Sequence, residues 1–276
     1  MQISRMLLGE ADGEDLSLTT DELNHHLFIV GGKSPNKPKQ LLKNALLSQI
    51  RSGSGLIVLQ MEANQTKSDL INTVDLCFRS EDFTEVYNKQ IDELPQLVES
   101  AHFENKILYI ELHKTTLEFQ GKLVRSLVQC GELLYSANSV NPQFQNHLMI
   151  VADQIDQYMH QEWIHLSVFS RRNNVSLVFA TDQIQNLIKD GQILIHQSFY
   201  TLLNNIEHKF VFYQSDTEQN EFAKNLFALP RVQQHNQEVE YSPIEYDFFL
   251  MYSLIIPSIV TVKVVVHQSI CAPYLQ

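Results

Sequence analysis

Several short runs of this chain are apolar almost from end to end, and they alternate with stretches of helical period. His26-Leu27-Phe28-Ile29-Val30, Gly55–Leu59, Lys106–Ile110, His147–Ala152, Val175–Ala180 and Lys209–Tyr213 show no alternation of apolar with polar residues. A strand with one solvated face would alternate. A run apolar throughout suits a strand covered on both faces. The intervening helical stretches, 39–52, 117–137, 154–170, 183–190 and 217–228, supply the cover. Strands alternating with helices predict an α/β fold, with a mainly parallel sheet and helices on both faces. Residues 1–276 read as a single domain. Within it, 61–105 is a small acidic insertion with a possible strand at 74–78, 233–241 is a polar connector, and 242–276 is a closing hairpin.

The first of these strands leads into Gly31-Gly32-Lys33-Ser34-Pro35-Asn36-Lys37-Pro38, and a helix follows. Strand, glycine-led loop, lysine and helix is the layout in which backbone N–H groups and a helix N-terminus hold the phosphates of a nucleotide. The pattern asks for Gly, four residues, then Gly-Lys-Ser/Thr. Gly31 and Lys37 stand at the first Gly and the Lys, but Asn36 replaces the second Gly and Pro38 the hydroxyl residue. Pro38 offers no side-chain oxygen to Mg²⁺ and no N–H to a phosphate. A register ending at Gly32-Lys33-Ser34 fails, because it would put the leading glycine at Leu27, inside the strand.

Composition narrows the functional classes. The net charge is −12, and no block of basic residues interrupts it. Long-range electrostatics therefore oppose nucleic acid and anionic lipid. Cys77, Cys130 and Cys271 are odd in number and far apart, which suggests a reducing compartment and no disulfide framework. Met1 to Leu8 has one Arg and too short an apolar run for a secretory signal, so none is expected there. Phe248 to Ile270 is the one membrane-like stretch, but Pro257, Lys263 and His267 interrupt it, so two buried elements are expected there and no membrane span.

The order of motifs resembles the ATPase domain of type IV secretion coupling proteins (TraD-like), in the FtsK–HerA group of RecA-like P-loop motors. Leu7–Glu10 through Leu16–Leu18 resembles the opening strand pair of that family, and Asn24 to Gly31 its entry to the phosphate loop. Gly53 to Gln60 is similar to the next strand, with Gln60 where the family often has Asp. Leu148-Met149-Ile150-Val151-Ala152-Asp153-Gln154 resembles the Walker B strand, with Gln154 at the place of the water-polarising Glu. A Gln amide accepts no proton at neutral pH. Val175 to Asp182 resembles the strand whose final Gln reads the γ-phosphate, here replaced by Asp182. His208 to Glu218, then Tyr241–Glu245 and Val262–Pro273, resemble the last strand and the closing hairpin.

Four departures, Asn36, Pro38, Gln154 and Asp182, thus fall on four catalytic positions of the family. The resemblance implies a pseudo-ATPase whose Gly31, Lys37 and Asp153 are vestigial nucleotide-binding residues. No catalytic residue, metal ligand or cofactor is expected, and ATP bound without turnover is the alternative the loop leaves open. It also implies a cytoplasmic, bacterial chain acting through protein–protein interaction. Its partners would be proteins of a secretion coupling complex at the inner membrane, of the Dot/Icm kind, with no strong nucleic-acid binding. The alternatives are a working NTPase motor for DNA or protein translocation, or an unrelated α/β binding domain. Metal readings of the histidines fail on geometry. His160 and His165 lie about 140° apart on a helix, and His25-His26 would point to opposite faces of a strand. Arg171-Arg172 reads as a solvated turn, with a finger onto a neighbour's nucleotide as the alternative. No GxSxG or cysteine elbow is present.

Overall fold

The computed structural model of the chain describes residues 5–11, 14–31, 36–60, 83–140, 146–157, 162–171, 173–182, 202–203, 205–212, 248–252 and 257–263. The apolar runs form strands in the order the sequence suggests. In chain order the elements are β1 (Arg5–Ala11), β2 (Glu14–Thr19), α1 (Thr20–Leu23), β3 (Leu27–Val30), α2 (Asn36–Arg51), β4 (Gly55–Gln60), β5 (Phe83–Glu85) and α3 (Leu94–Phe103). They continue as β6 (Ile107–Glu111), α4 (Leu117–Val140), β7 (Leu148–Ala152), α5 (Glu162–Ser170), β8 (Val175–Thr181), β9 (His208–Phe212), β10 (Phe248–Tyr252) and β11 (Pro257–Lys263). The helical stretches expected at 183–190 and 217–228, and the strand at 74–78, lie outside the described residues. The membrane-like stretch holds the two strands β10 and β11, and among the described residues no helix is long and apolar enough to cross a membrane.

All the strands join one sheet in the order β2-β1-β11-β10-β9-β3-β8-β7-β4-β6-β5. From β9 to β5 every neighbouring pair is parallel. The remaining strands, β10, β11, β1 and β2, are antiparallel to their neighbours. The mainly parallel α/β sheet expected from the sequence is therefore the architecture. β8 lies between β3 and β7. The residues leaving β3, β8 and β7 thus emerge side by side along one edge.

Strand parity divides the core into two layers. Leu27, Ile29, Leu56, Val58, Ile107, Tyr109, Met149, Val151, Val178 and Ala180 face α2, which presents Leu41, Leu42, Ala45, Leu46 and Ile50. Phe28, Val30, Ile57, Leu59, Leu108, Ile110, Leu148, Ile150, Leu177 and Phe179 face the opposite layer of α3, α4 and α5. Each fully buried side chain of this kind contributes about 1.5–3 kcal/mol. Trp163 of α5 is fully buried and meets Phe179 edge to face, with centroids 5.4 Å apart. Both faces of each strand are covered, which is why the sequence shows no alternation.

Helix-to-strand turns share one device. His26 and Asn174, with φ of 66° and 57°, stand immediately before β3 and β8, Asn105 (φ 56°) stands two residues before β6, and Gly53 (φ 68°) follows α2. A left-handed residue is the usual way to close a helix. Among the described non-glycine residues, Gln154 (φ 54°) is the exception, because it follows a strand.

Candidate functional site

The strand order brings Gly31, Asp153, Gln154 and Asp182 to one place, although they are spread over half the chain. Gly31 follows β3, Asp153 and Gln154 follow β7, and Asp182 follows β8. In open parallel sheets this carboxyl edge is where ligands sit. α2 begins at Asn36, so Lys37 and Pro38 lie in its first turn. Proline there breaks no helical bond, since first-turn N–H groups lack intrahelical acceptors.

Backbone contacts lock the edge. The Gly31 N–H donates to the Thr181 carbonyl at 2.7 Å, and the Asp153 N–H donates to the Leu59 carbonyl at 3.0 Å. A Cβ on Gly31 would sit 2.6 Å from the carbonyl carbon of Asp182 and closer still to its oxygen. The chains leaving β3 and β8 therefore touch backbone to backbone. Only glycine fits at position 31, for lack of space.

Side chains add a second layer of bonds. Gln154 is buried, and its Nε2 donates to Asp182 Oδ2 at 3.2 Å. Its Oε1 accepts from Gln157 Nε2 at 3.0 Å. Thr181 Oγ1 donates to Asp156 Oδ1 at 2.7 Å. Asp156 lies in the short turn after β7, and burial pushes its carboxyl above the usual range. The hydroxyl of Thr181 opposes that rise, and the neighbouring Asp182 adds to it. Two amides and two carboxylates thus interlock across β7 and β8. Sequence reading placed Gln154 and Asp182 but missed Asp156, Gln157 and Thr181, whose pairing depends on the 3₁₀ turn Ile155–Gln157.

Gln154→Glu should expose this arrangement. It places a second carboxylate against Asp182, and we expect a loss of about 1–2 kcal/mol at neutral pH, most of it recovered in Gln154→Glu/Asp182→Asn. Denaturant titration of the three variants checks this. A single variant as stable as the parent would refute the contact.

Elsewhere on the sheet, Gln60 is buried at the end of β4 and accepts from the Tyr109 hydroxyl at 2.6 Å. Arg171 lies at the opposite, amino edge of the sheet. It donates to the Asn205 carbonyl, with Glu207 Oε1 3.6 Å from its second nitrogen. It is thus a structural tie within its own chain, and Arg172 lies outside the described residues. His25 and His26 do not lie within a strand as expected. The left-handed turn at His26 buries that ring, while the half-exposed His25 meets Glu207 Oε1 at 2.7 Å. His165 is exposed on α5, and His160 is not among the described residues. Among the described residues no group of three or more His, Cys, Asp or Glu is placed to hold a metal.

A parallel sheet with its loop-bearing and acid-bearing strands separated by one strand, and a helix leaving the loop, defines the RecA-like P-loop NTPase fold. No protein-family model and no curated protein matches the chain. Solved structures do. The pCW3 conjugation coupling protein TcpA, in a monomer form with ATPγS, is similar over 95% of this chain and 66% of its own, with TM-score 0.55 and 11% identity. The cytoplasmic domain of the Thermomonospora curvata type VII secretion ATPase EccC is similar over 96% of this chain and 29% of its own, with TM-score 0.56 and 13% identity. VirB4 of Thermoanaerobacter pseudethanolicus covers 97% of this chain and 98% of its own, with TM-score 0.54 and 12% identity. The chain has the fold of the secretion-coupling ATPases. It spans just under two thirds of the TcpA chain and less than a third of the EccC chain.

Proposed function

We propose that this chain is a catalytically inactive relative of the type IV secretion coupling ATPases, acting as a protein-binding, scaffolding subunit of a secretion coupling complex. The observation that carries the reading is the bond from the Gln154 amide to the Asp182 carboxylate, at the edge where a motor would polarise water. A nucleoside triphosphate with Mg²⁺ is the group this fold would take, and the described residues fit it poorly. The Gly31 N–H is spent on Thr181 and the Gln154 amide on Asp182. Asp182 and Asp156 bring acidic groups to the edge where phosphate oxygens would need donors, and Pro38 brings no metal-binding oxygen. Gly31, Lys37 and Asp153 are then remnants of the binding set.

A core kept without its chemistry leaves the surface as the seat of function. The chain would sit at the cytoplasmic side of an inner-membrane assembly, and a stable contact there should bury at least about 1,000 Å². ATP and GTP turnover should equal background, against roughly 1–100 s⁻¹ for working kinases. Lys37→Ala should change nothing. Coupling subunits should co-purify from native cells, while DNA should bind weakly at physiological salt, because a charge of −12 releases few counterions. Turnover abolished by Lys37→Ala, or submicromolar DNA binding with no protein retained, would overturn the reading in favour of a working motor.

A further inference from the structure

The two outer strands of the sheet differ in length. β5 at one end offers three residues, Phe83–Glu85, while β2 at the other offers six, Glu14–Thr19. Among the described residues no strand pairs with the outer side of either. We propose that β2 is a docking strand: an extended, basic segment of a partner protein pairs antiparallel with its open edge and lengthens the sheet. The inference gives the scaffolding reading a surface and rests on that reading.

Alternate residues of a strand point their N–H and C=O groups to the same side, so about three residues of β2 direct theirs away from β1. Such a ladder accepts another strand unless shortness, proline or a bulge blunts it, and β2 has neither a proline nor a short run. Charge selects the occupant. Register places Glu10 of β1 directly between Lys263 of β11 and Asp15 of β2. This row carries one positive and two negative residues, and like charges directly opposite each other are unfavourable. A lysine or arginine opposite Asp15 on an added strand balances the row. By strand parity Asp15 shares a face with the half-buried Ser17 and Thr19, opposite buried Leu18, so the row lies outside the core cluster that Leu18 joins. A second copy of this chain fits poorly. Antiparallel pairing of two β2 strands brings Glu14 and Asp15 to the end that leads into Asp21 and Glu22 of α1, and parallel pairing sets them against themselves. The net charge of −12 adds long-range attraction for a basic partner.

The test uses the full chain as parent, Asp15→Lys and Asp15→Asn, each checked for folding by circular dichroism and melting. The probe is a short fluorescent peptide alternating Val with Lys. One control is the same peptide N-methylated at alternate residues, which removes main-chain donors and keeps the charge; the other has Glu in place of Lys. We expect the parent to bind the Val-Lys peptide at least about tenfold more tightly than either control, with hydrogen exchange slowed within Glu14–Thr19. Asp15→Lys should weaken that binding at least about tenfold, with Asp15→Asn between. It should melt no lower than the parent, because the like-charge pair with Glu10 is relieved. A parent that does not bind the Val-Lys peptide, equal binding of the N-methylated peptide, unchanged binding by Asp15→Lys, or slowed exchange away from β2 would each overturn the proposal. Co-purification from native cells separates it from the reading it rests on, and we expect coupling subunits with the parent and their loss from Asp15→Lys. Equal retention by both forms would overturn the docking strand and leave the scaffolding reading standing. No subunit retained by the parent would overturn both.

Discussion

Acidification from pH 7 to about 4.5 should unfold this protein, well before its carboxylates are fully protonated. Among the described residues four histidines are buried near the amino edge of the sheet: His26, His102, His147 and His208. Burial pushes His26 down to about 3, and His102 and His147 down to about 4. His208 is lowered in the same direction by burial. For His26 the geometry agrees. Its Nε2 donates to the Ser167 carbonyl at 2.8 Å, while its Nδ1 accepts the Leu177 N–H at 3.3 Å, a combination open only to a neutral ring. His147 lies between Ser176 Oγ, 2.6 Å from its Nε2, and the Gln49 amide. The Nδ1 of His102 is buried with no hydrogen-bond partner.

The unfolded chain takes up these protons near 6.5. Between that value and about 4 it binds more protons than the folded chain, so stability falls as pH falls and levels off below the folded-state values. Each ring contributes up to about 1.4 kcal/mol per pH unit, so three together reach roughly 4 kcal/mol per unit, against a typical domain stability of 5–15 kcal/mol. Asp156, whose carboxyl is raised by burial, works in the opposite direction but is a single, half-buried group. Melting temperature measured from pH 7.5 down to 4.5 should drop steeply below about 6.5, and His147→Gln should flatten the slope. A melting temperature constant over that range would show that the rings are not held neutral.

A single methyl group at position 55 should be as damaging as that acid shift. Gly55 opens β4, where the last turn of α3 crosses it, and a Cβ there would lie 2.9 Å from the carbonyl carbon of Ala101 and closer to its oxygen. The Leu148 side chain stands 3.2 Å away on another side. Both obstacles to relief are structural: the oxygen belongs to a helix backbone, and the Gly55 carbonyl is held by Gln49 Nε2 at 2.9 Å. Gly55→Ala therefore has to displace α3 from the sheet, and we expect a loss of more than about 3 kcal/mol. Two other glycines serve as controls for the cause. At Gly53 nothing lies within 4 Å, so Gly53→Ala should cost only the left-handed backbone, about 1 kcal/mol. Gly121 is inside α4 with only the Arg125 guanidinium nearby, at 3.5 Å, so Gly121→Ala should be neutral or stabilising by up to about 1 kcal/mol. Denaturant midpoints for the three variants would test the order. Gly55→Ala no worse than Gly53→Ala would show that α3 does not press on β4.

Much of this architecture was legible because burial on both faces leaves a local trace. Leu27–Val30, Leu148–Ala152 and Val175–Thr181 read as covered strands from their composition alone, and the helical stripe Leu41, Leu42, Ala45, Leu46, Ile50 marks the face of α2. Boundaries were less legible. The helix expected to start at residue 39 begins at Asn36, since Pro38 is harmless in a first turn. The stretch 154–170 is interrupted, with a 3₁₀ turn at Ile155–Gln157 and α5 from Glu162.

What the sequence determined by itself was the periodicity, the chain order of the elements and the chemical identity of Gly31, Asp153, Gln154 and Asp182. Those follow from neighbours a few residues apart, where steric and solvation preferences act directly. The tertiary structure alone decided the strand order that sets β8 between β3 and β7. It also decided the backbone contact that makes glycine obligatory at 31, and the pairing of Gln154 with Asp182 and of Thr181 with Asp156. The same holds for the neutral state of His26 and His147, whose hydrogen-bond partners Leu177, Ser176 and Gln49 come from distant segments. Each depends on residues separated by tens of positions or more. A linear pattern holds no information on distance in space, and the packing of both layers against one sheet supplies it.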